Sequence, residues 1–244
     1  SVDPKGSETE AGQTNYDDLF ADPLAWMENK WIDYLVPQLY WSMDHPKASY
    51  SKLLRWWSEN STNTAIYIGN GTYKINTDSD KRWNNPNEIP NQIDITRSYK
   101  NIQGNAFFSA KSFLNKNQSV TKLLTENQYK YPALPNVVPG SVKKMAIVPT
   151  ANNILIDPIA SRFNVTYPLY SKVRYVMVYG AKFNSKINVN DPSQILDKIA
   201  FKDNVDTVEV VIPTYKLDKN TTCAITFIDF YGNESDPTLV NFTL

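Results

Sequence analysis

One cysteine, one histidine and eight glycines in 244 residues leave little room for several kinds of chemistry. The single cysteine, Cys223, excludes an internal disulfide. Its place in the alternating run Thr222-Cys223-Ala224-Ile225-Thr226-Phe227 reads as a small buried hydrophobe rather than a nucleophile. The single histidine, His45, has no clustered cysteine, histidine or carboxylate partners, so no metal-site signal exists and no cofactor is expected. Gly69-Asn70-Gly71 alone is too short for a phosphate-cradling loop. Charge of one sign is missing too. Lys and Arg together number 25 and so do Asp and Glu, which removes any broad electrostatic case for nucleic acid or an anionic membrane. Within these 244 residues no apolar run is long enough to span a membrane and no signal-peptide or lipidation pattern is read, which for a fragment says nothing of its parent.

Aromatics, by contrast, are plentiful: fifteen Tyr, ten Phe and six Trp. A partner of this chain is therefore to be recognised by shape and stacking. Aromatic faces suit sugar rings, whose C–H edges are apolar while their hydroxyls seek hydrogen bonds, although most such rings belong in a core.

The run Trp31-Ile32-Asp33-Tyr34-Leu35-Val36-Pro37-Gln38-Leu39-Tyr40-Trp41 is the most informative. Read as a buried strand, it places Tyr34, Val36, Gln38 and Tyr40 on one face and Leu35, Pro37 and Leu39 on the other. One apolar row then ends in an amide and a phenol, either at a ligand site or in a core where the amide is satisfied internally. Residues 65–73 form a second short apolar run opening into Gly69 and Gly71, which permit close backbone approach. Residues 105–111 form a third, ending in Ser109 and Lys111 on one parity. A helical pattern follows each. Tyr50, Leu53, Leu54 and Trp57 recur at i, i+3, i+4 and i+7. Ile89, Ile93 and Thr96 do so after Pro86 and its asparagines, and Val120, Leu123 and Leu124 follow the third strand. Three successive βα units predict a parallel sheet. Ahead of them, residues 1–14 read as a mobile polar leader. Asp22-Pro23 then fits an N-cap with proline at the first helical position, and Leu24, Met27 and Trp31 continue an apolar stripe.

The residues of this first half resemble a known family. Tyr16-Asp17-Asp18-Leu19-Phe20-Ala21-Asp22, the run 31–41, Asp44-His45-Pro46, Ser49-Tyr50, Leu54, Trp56-Trp57, Tyr67-Ile68-Gly69 and Gly104-Asn105-Ala106-Phe107-Phe108-Ser109-Ala110-Lys111-Ser112 are similar to the family-10-like glycosyl hydrolases, formerly a bacterial domain of unknown function. The similarity covers residues 15–135, and its Pro-Gln-Leu-Tyr-Trp and Phe-Phe-Ser-Ala-Lys-Ser blocks are specific. It implies a (β/α)8 TIM barrel acting on glycosidic bonds, with relatives that are envelope enzymes cleaving peptidoglycan-type glycans. It implies further that the three strands here correspond to the sixth, seventh and eighth, so that five are absent and the barrel is incomplete. A fragment is then expected. Its inner face and one edge would stay open, to be met by the N-terminal barrel portion or by self-association. The relatives' export implies a periplasmic, cell-envelope or secreted setting.

Residues 131–140 carry three prolines, favouring an extended, stiff linker, and beyond them the periodicity changes to two. Residues 154–156, 163–167, 175–179, 208–212, 224–230 and 239–244 read as strands, with a helical turn or more at 193–200. This predicts a β-sandwich of about seven strands. Residues 224–235 resemble the late strand and turn of fibronectin type III-like modules. The expected architecture is thus α/β plus all-β: an incomplete barrel over 1–139, then an immunoglobulin/fibronectin III-like sandwich over 140–244. The sandwich would serve as a spacer or docking surface, with direct glycan binding as a weaker alternative.

Glycoside hydrolysis needs two carboxyl groups flanking the bond. The resemblance places that pair upstream of this chain. Asp44 lies in the loop after the first strand and suits a helix N-cap near Pro46 as well as it suits a site. The candidate substrate contacts are Gln38, Tyr40, Trp41, His45, Tyr73, Ser109 and Lys111. Trp41 has the opposite parity to Tyr40 and suits the helix layer equally. His45 suits either a sugar hydroxyl or a loop-anchoring hydrogen bond. Lys111 would need a carboxylate partner if buried, and Lys74, beside Tyr73, reads as solvated. The function implied is that of a carbohydrate-cleaving parent, inactive as this piece alone; the alternative is a non-catalytic glycan-binding or envelope scaffold.

Overall fold

Two kinds of hydrogen-bond ladder divide the molecule: strands of the first half run parallel, those of the second antiparallel. The computed structural model describes residues 6–10, 12–62, 64–114, 118–134, 137, 145–156, 159–167, 172–181, 185–201, 206–216 and 222–241. Two compact units result, 1–130 and 131–244. The division falls at the start of the proline-rich segment rather than after residue 139. The physical reason is that Leu134 already packs against a cluster of the second unit formed around Met177, Tyr179, Ala224 and Ile228.

In the first unit the helices α1 (Tyr16–Leu19) and α2 (Pro23–Glu28) precede the strand pieces β1 (Tyr34–Leu35) and β2 (Gln38–Leu39). Asp22 caps α2 as expected, its Oδ1 accepting from Ala25 N at 3.0 Å ahead of Pro23. Then come α3 (Tyr50–Glu59), β3 (Ala65–Asn70), α4 (Glu88–Arg97), β4 (Ile102–Phe107), α5 (Lys111–Leu114) and α6 (Gln118–Glu126), with 3-10 turns at Thr72–Lys74 and Lys81–Asn84. Tyr34 and Leu35 pair with Ala65 and Ile66, and Gln38 and Leu39 with Gly69 and Asn70. The offset is 31 residues in both pieces (65 minus 34, 69 minus 38), so β1 and β2 are one strand interrupted at Val36 and Pro37. Proline has no N–H to give the ladder, which is why the long strand expected over 31–41 shrinks to these pieces. β4 lies on the other side of β3, paired from Ile66–Ile102 to Asn70–Phe107 with a bulge after the first pair.

Helices cover one face of this sheet. Leu39, Ile66, Ile68 and Ile102 pack with Tyr50, Leu53, Leu54, Trp56 and Trp57, the apolar stripe of α3. Ile89 and Ile93 of α4 join Val120 and Leu124 of α6 around Trp83. The opposite face presents Tyr34 and Gln38 to solvent, with Tyr67 half-buried between them and Tyr34 edge-on to Tyr67 at 5.9 Å.

Several expectations are corrected. Trp31 does not continue the apolar stripe; it is 70% exposed beyond the end of α2. The leader, over its described residues, makes contacts with the first unit. Ser7 and Thr9 are buried, Glu10 N donates to Lys47 O at 2.6 Å, and Glu8 lies 3.5 Å from Lys52 and 3.7 Å from Arg55. The second and third strands stop early. β3 ends at Asn70 because Gly71 starts a 3-10 turn, and β4 ends at Phe107 because Ser112 N and Phe113 N turn back to Ser109 O and Ala110 O.

Among its described residues the second unit is a sandwich of seven antiparallel strands. One sheet has β5 (Thr150–Ile156), β6 (Ala160–Thr166) and β9 (Thr207–Pro213) in the order β5-β6-β9. The other has β7 (Val173–Gly180), β8 (Ile195–Ala200), β10 (Thr222–Asp229) and β11 (Thr238–Asn241) in the order β11-β10-β7-β8. Phe163, Val165, Val210 and Ile212 from the first meet Val176, Val178, Cys223, Ile225, Phe227 and Val240 from the second. Burial pushes the Cys223 thiol up to about 12, in keeping with a packed hydrophobe. Residues 195–200 are a strand, not helix; only Pro192–Gln194 forms a 3-10 turn. Ile195, Leu196 and Ile199 mimic helical spacing, but pairing with β7 lets Leu196 and Ile199 reach the inner core while Ile195 joins the outer cluster. The expected strand over 239–244 is seen as Thr238–Asn241, and residues 242–244 lie outside the described ones.

Candidate functional site

The C-terminal ends of parallel strands collect the residues that follow them, and here three aromatic rings meet. Tyr40 follows β2, Tyr73 lies in the turn after β3, and Phe108 follows β4. Tyr40 and Tyr73 are edge-on at 5.8 Å, Tyr40 and Phe108 stacked at 6.1 Å, and Tyr73 and Phe108 edge-on at 5.9 Å. Tyr73 is 45% and Phe108 58% exposed, so the cluster is a surface feature and not a core. Burial and the neighbouring Tyr73 raise the Tyr40 phenol, which keeps it neutral and a hydrogen-bond donor.

Glycine makes the cluster possible. A Cβ on Gly71 would meet Tyr40 Cβ at 3.0 Å and Cγ at 3.2 Å, and one on Gly69 would meet Pro37 O at 3.0 Å. Tyr40 thus lies against bare backbone. The backbone ties the other rings down: Phe108 N donates to Asn70 O at 3.0 Å and Tyr73 N to Phe108 O at 3.2 Å.

Beneath the rim lies a buried polar network. Asn70 Nδ2 donates to Gln92 Oε1 at 2.8 Å and to Tyr50 Oη at 3.3 Å, while its Oδ1 accepts from Asn105 Nδ2 at 2.8 Å. Tyr50 Oη and Thr96 Oγ1 are 2.7 Å apart, and Thr96 Oγ1 donates to Gln92 O at 2.7 Å. Burial pushes the Tyr50 phenol up to about 12 against the hydrogen bonds of Thr96, Asn70 and Asn105. Asn70 and Gln92 have partners at both amide atoms, so the network holds the ends of β3 and β4 against α3 and α4.

Two carboxylates hold the loop after β2. Glu88 Oε1 accepts from Met43 N at 2.6 Å and from Gln92 Nε2 at 2.9 Å. Its carboxyl is raised, chiefly by burial and then by Asp80 and Asp44, against the lowering hydrogen bonds from Met43 and Gln92. Asp80 accepts from Ser42 Oγ at 2.5 Å and from Arg82 Nη1 at 3.0 Å. Burial works to raise its carboxyl, but the bonds from Ser42 and Arg82 outweigh it and bring it below the usual range.

The structure divides the expected site residues. Gln38, Tyr40, Tyr73 and Ser109 lie at the C-terminal rim of the one sheet; Gln38 is exposed, and Ser109 O accepts from Thr72 Oγ1 at 3.5 Å. Lys111, instead of ending a strand, opens α5 and is exposed. Trp41 packs with the helix-side core and not beside Tyr40. His45 Nδ1 accepts from Lys47 N at 3.3 Å and Ala48 N at 3.1 Å, the loop-anchoring role, which puts its proton on Nε2. The cap of α3 is Ser49, not Asp44, and Asp44 is exposed. Lys74 is paired with Asp78 at 3.0 Å rather than merely solvated. Sequence reasoning missed Phe108 as a rim residue, and Asn70, Gln92 and Glu88 as its supports. The doubled phenylalanine in Phe107-Phe108-Ser109 was the available signal for the first; the others sit on separate elements. Among the described residues no three His, Cys, Asp or Glu side chains form a cluster able to hold a metal ion, and no helix is long and apolar enough to cross a membrane.

Comparison with known proteins agrees with the resemblance. Residues 1–85 match the model of the family described as glycosyl hydrolase-like 10. The chain is 41% identical over 140 residues to Glycosyl hydrolase YngK of Bacillus subtilis (strain 168), covering 56% of this chain and 27% of that protein. It is 34% identical over 126 residues to Glycosyl hydrolase DigH of Escherichia coli (strain K12), covering 49% of this chain and 28% of that one. The chain therefore spans little more than a quarter of the length of these curated relatives. Among solved structures it is similar to catalytically inactive OgpA of Akkermansia muciniphila in complex with an O-glycopeptide substrate, with TM-score 0.34 and 11% identity over 79% of this chain and 68% of that one. It is also similar to the spore cortex lytic enzyme SleM of Clostridium perfringens, with TM-score 0.30 and 11% identity over 86% and 68%. Likenesses this low carry no assignment of fold. The resemblance to glycosyl hydrolase-like 10 proteins stands on the family match and the curated relatives.

Proposed function

We propose that the first unit forms one rim of the sugar-binding cleft of a glycoside hydrolase, as the closing part of a (β/α)8 barrel whose catalytic carboxylates lie outside this chain. The observation that carries this is the ring cluster Tyr40, Tyr73 and Phe108, exposed at the C-terminal ends of parallel strands where barrel enzymes bind their substrates. The bare second face supports it as well, because parallel sheets are ordinarily covered on both sides. The strand ends themselves carry Tyr40, Asn70 and Phe108, none of them an acid, so the acid and base of hydrolysis would come from other strands. The antiparallel orders β5-β6-β9 and β11-β10-β7-β8 favour reading the second unit as a fibronectin type III-like sandwich appended to the enzyme. A bacterial envelope or secreted setting and peptidoglycan-type glycans are the substrate and location this reading expects.

The experiment is turnover of a panel of bacterial and host glycans by the full-length protein and its Tyr40→Ala and Phe108→Ala variants. Each loses one stacking face, worth about 1 kcal/mol, so kcat/KM should fall about fivefold for any glycan cleaved. Unchanged kcat/KM in both variants overturns the rim. Binding without cleavage of any glycan by the full-length protein would instead favour a glycan-binding scaffold.

A further inference from the structure

We propose that the sandwich bears a second glycan site, a strip selective for acidic pyranose polymers of the uronate class, built from Lys172, Arg174, Tyr175, Lys198, Phe230 and Tyr231. These residues converge at one end of the four-stranded sheet. Phe230 N donates to Lys172 O at 3.1 Å, Ile228 pairs with Tyr175, and Lys198 pairs with Met177 on the adjoining strand. The Arg174 guanidinium lies 5.1 Å from the centre of the Tyr175 ring and 5.9 Å from that of Phe230. Lys198 Nζ lies 5.2 Å over Tyr175, and Lys172 Nζ 5.4 Å over Tyr231.

Three cations are thus interleaved with three rings, and among the described residues none of the three is in an ion pair. Two acids adjoin the strip in sequence: Asp229 Oδ1 accepts from Tyr231 N and Asn233 N, each at 2.8 Å, and its Oδ2 from Asn233 Nδ2 at 2.9 Å, while Asp197 Oδ1 accepts from Lys198 N at 2.8 Å. Phe230 is 59% and Tyr231 41% exposed. Such a surface is complementary to a ligand that brings a flat apolar face and a negative group together. A guanidinium attracted by ring faces makes no hydrogen bond to them, so its N–H fork stays available for a carboxylate. Neutral pyranoses supply the face without the charge, and open-chain phosphate polymers the charge without the face. Carboxylated pyranoses supply both.

The strip lies on strands remote in sequence from the ring cluster and stands whether or not the cleft reading holds. It is tested by native affinity electrophoresis of the whole chain through gels holding polygalacturonate, alginate or hyaluronan, with dextran and oligo-dT as comparison polymers. The expected result is retardation by at least one uronate polymer, not by dextran, weakened about tenfold in an Arg174→Ala/Phe230→Ala double variant. Lys122→Ala, in the exposed pair with Glu126 on α6, should be retarded as wild type. Thermal unfolding of the double variant confirms that it is folded; should it not be, Lys198→Ala and Lys172→Ala take its place, with weakening again expected. The proposal fails if no uronate polymer retards the chain, if dextran does so equally, if oligo-dT does so more strongly, or if folded strip variants run as wild type.

Discussion

The two units bury their sheets differently. In the sandwich each sheet supplies an inner face, and Phe163, Val178 and Phe227 meet between them at 1% exposure or less, so the unit carries both walls of its core. The parallel sheet of the first unit has one wall. Ile66 and Ile68 are fully buried against helices, while Tyr34 on the far face is 59% exposed. The contrast separates two jobs. A sheet closed on both sides packs its side chains into a core, and one covered on one side leaves aromatic and amide groups such as Tyr34 and Gln38 exposed.

The sharpest break of that comparison is Phe227→Ala. Truncating a fully buried phenylalanine should cost the sandwich about 3–5 kcal/mol. Chemical denaturation followed by tryptophan fluorescence should leave the first unit's transition in place, since all six tryptophans lie in residues 1–130. A matching drop in the tryptophan signal would show that the units do not unfold independently. Next comes Asn70→Ala, which leaves Gln92, Tyr50 and Asn105 short of partners. It should cost about 2 kcal/mol, read as a lowered denaturation midpoint of the first unit. An unchanged midpoint would mean that the rim is not held by this network.

The smallest effect belongs to Glu88→Gln. The folded-state carboxyl of Glu88 is raised above its ordinary value, chiefly by burial, so the native state holds the proton more tightly than the unfolded chain does. Stability tied to this group is present below the ordinary carboxylate range and is lost as pH rises through the raised folded value. Glutamine keeps the acceptor for Met43 N without the buried charge. The melting temperature of the variant should therefore decline less than that of wild type as pH rises from about 4 toward 7. Parallel declines would remove Glu88 from the loop's pH dependence.

Much of this is legible in the sequence. The helices α3, α4 and α6 announce themselves because Leu53, Leu54 and Trp57, then Ile89 and Ile93, then Val120 and Leu124 recur with the period of one helix face. The alternating strands of the sandwich do so for the corresponding reason, β8 excepted, where Leu196 and Ile199 satisfied both periods and pairing with β7 decided. At the site, Gln38 and Tyr40 were legible as strand-end residues of one parity. Lys111 was not, because a strand's last residue is set by its neighbour's ladder and not by its own side chains.

Local pattern and residue chemistry by themselves determined that a parallel βα half precedes an antiparallel β half, that Asp22 caps a helix and that Cys223 is packed, since each depends on spacing within a few residues. Tertiary structure alone decided that Tyr40, Tyr73 and Phe108 touch, that Trp41 turns away from them, and that Glu88 reaches back 45 residues to Met43. Those contacts join segments whose approach is set by how strands align and helices cross, which no local periodicity encodes.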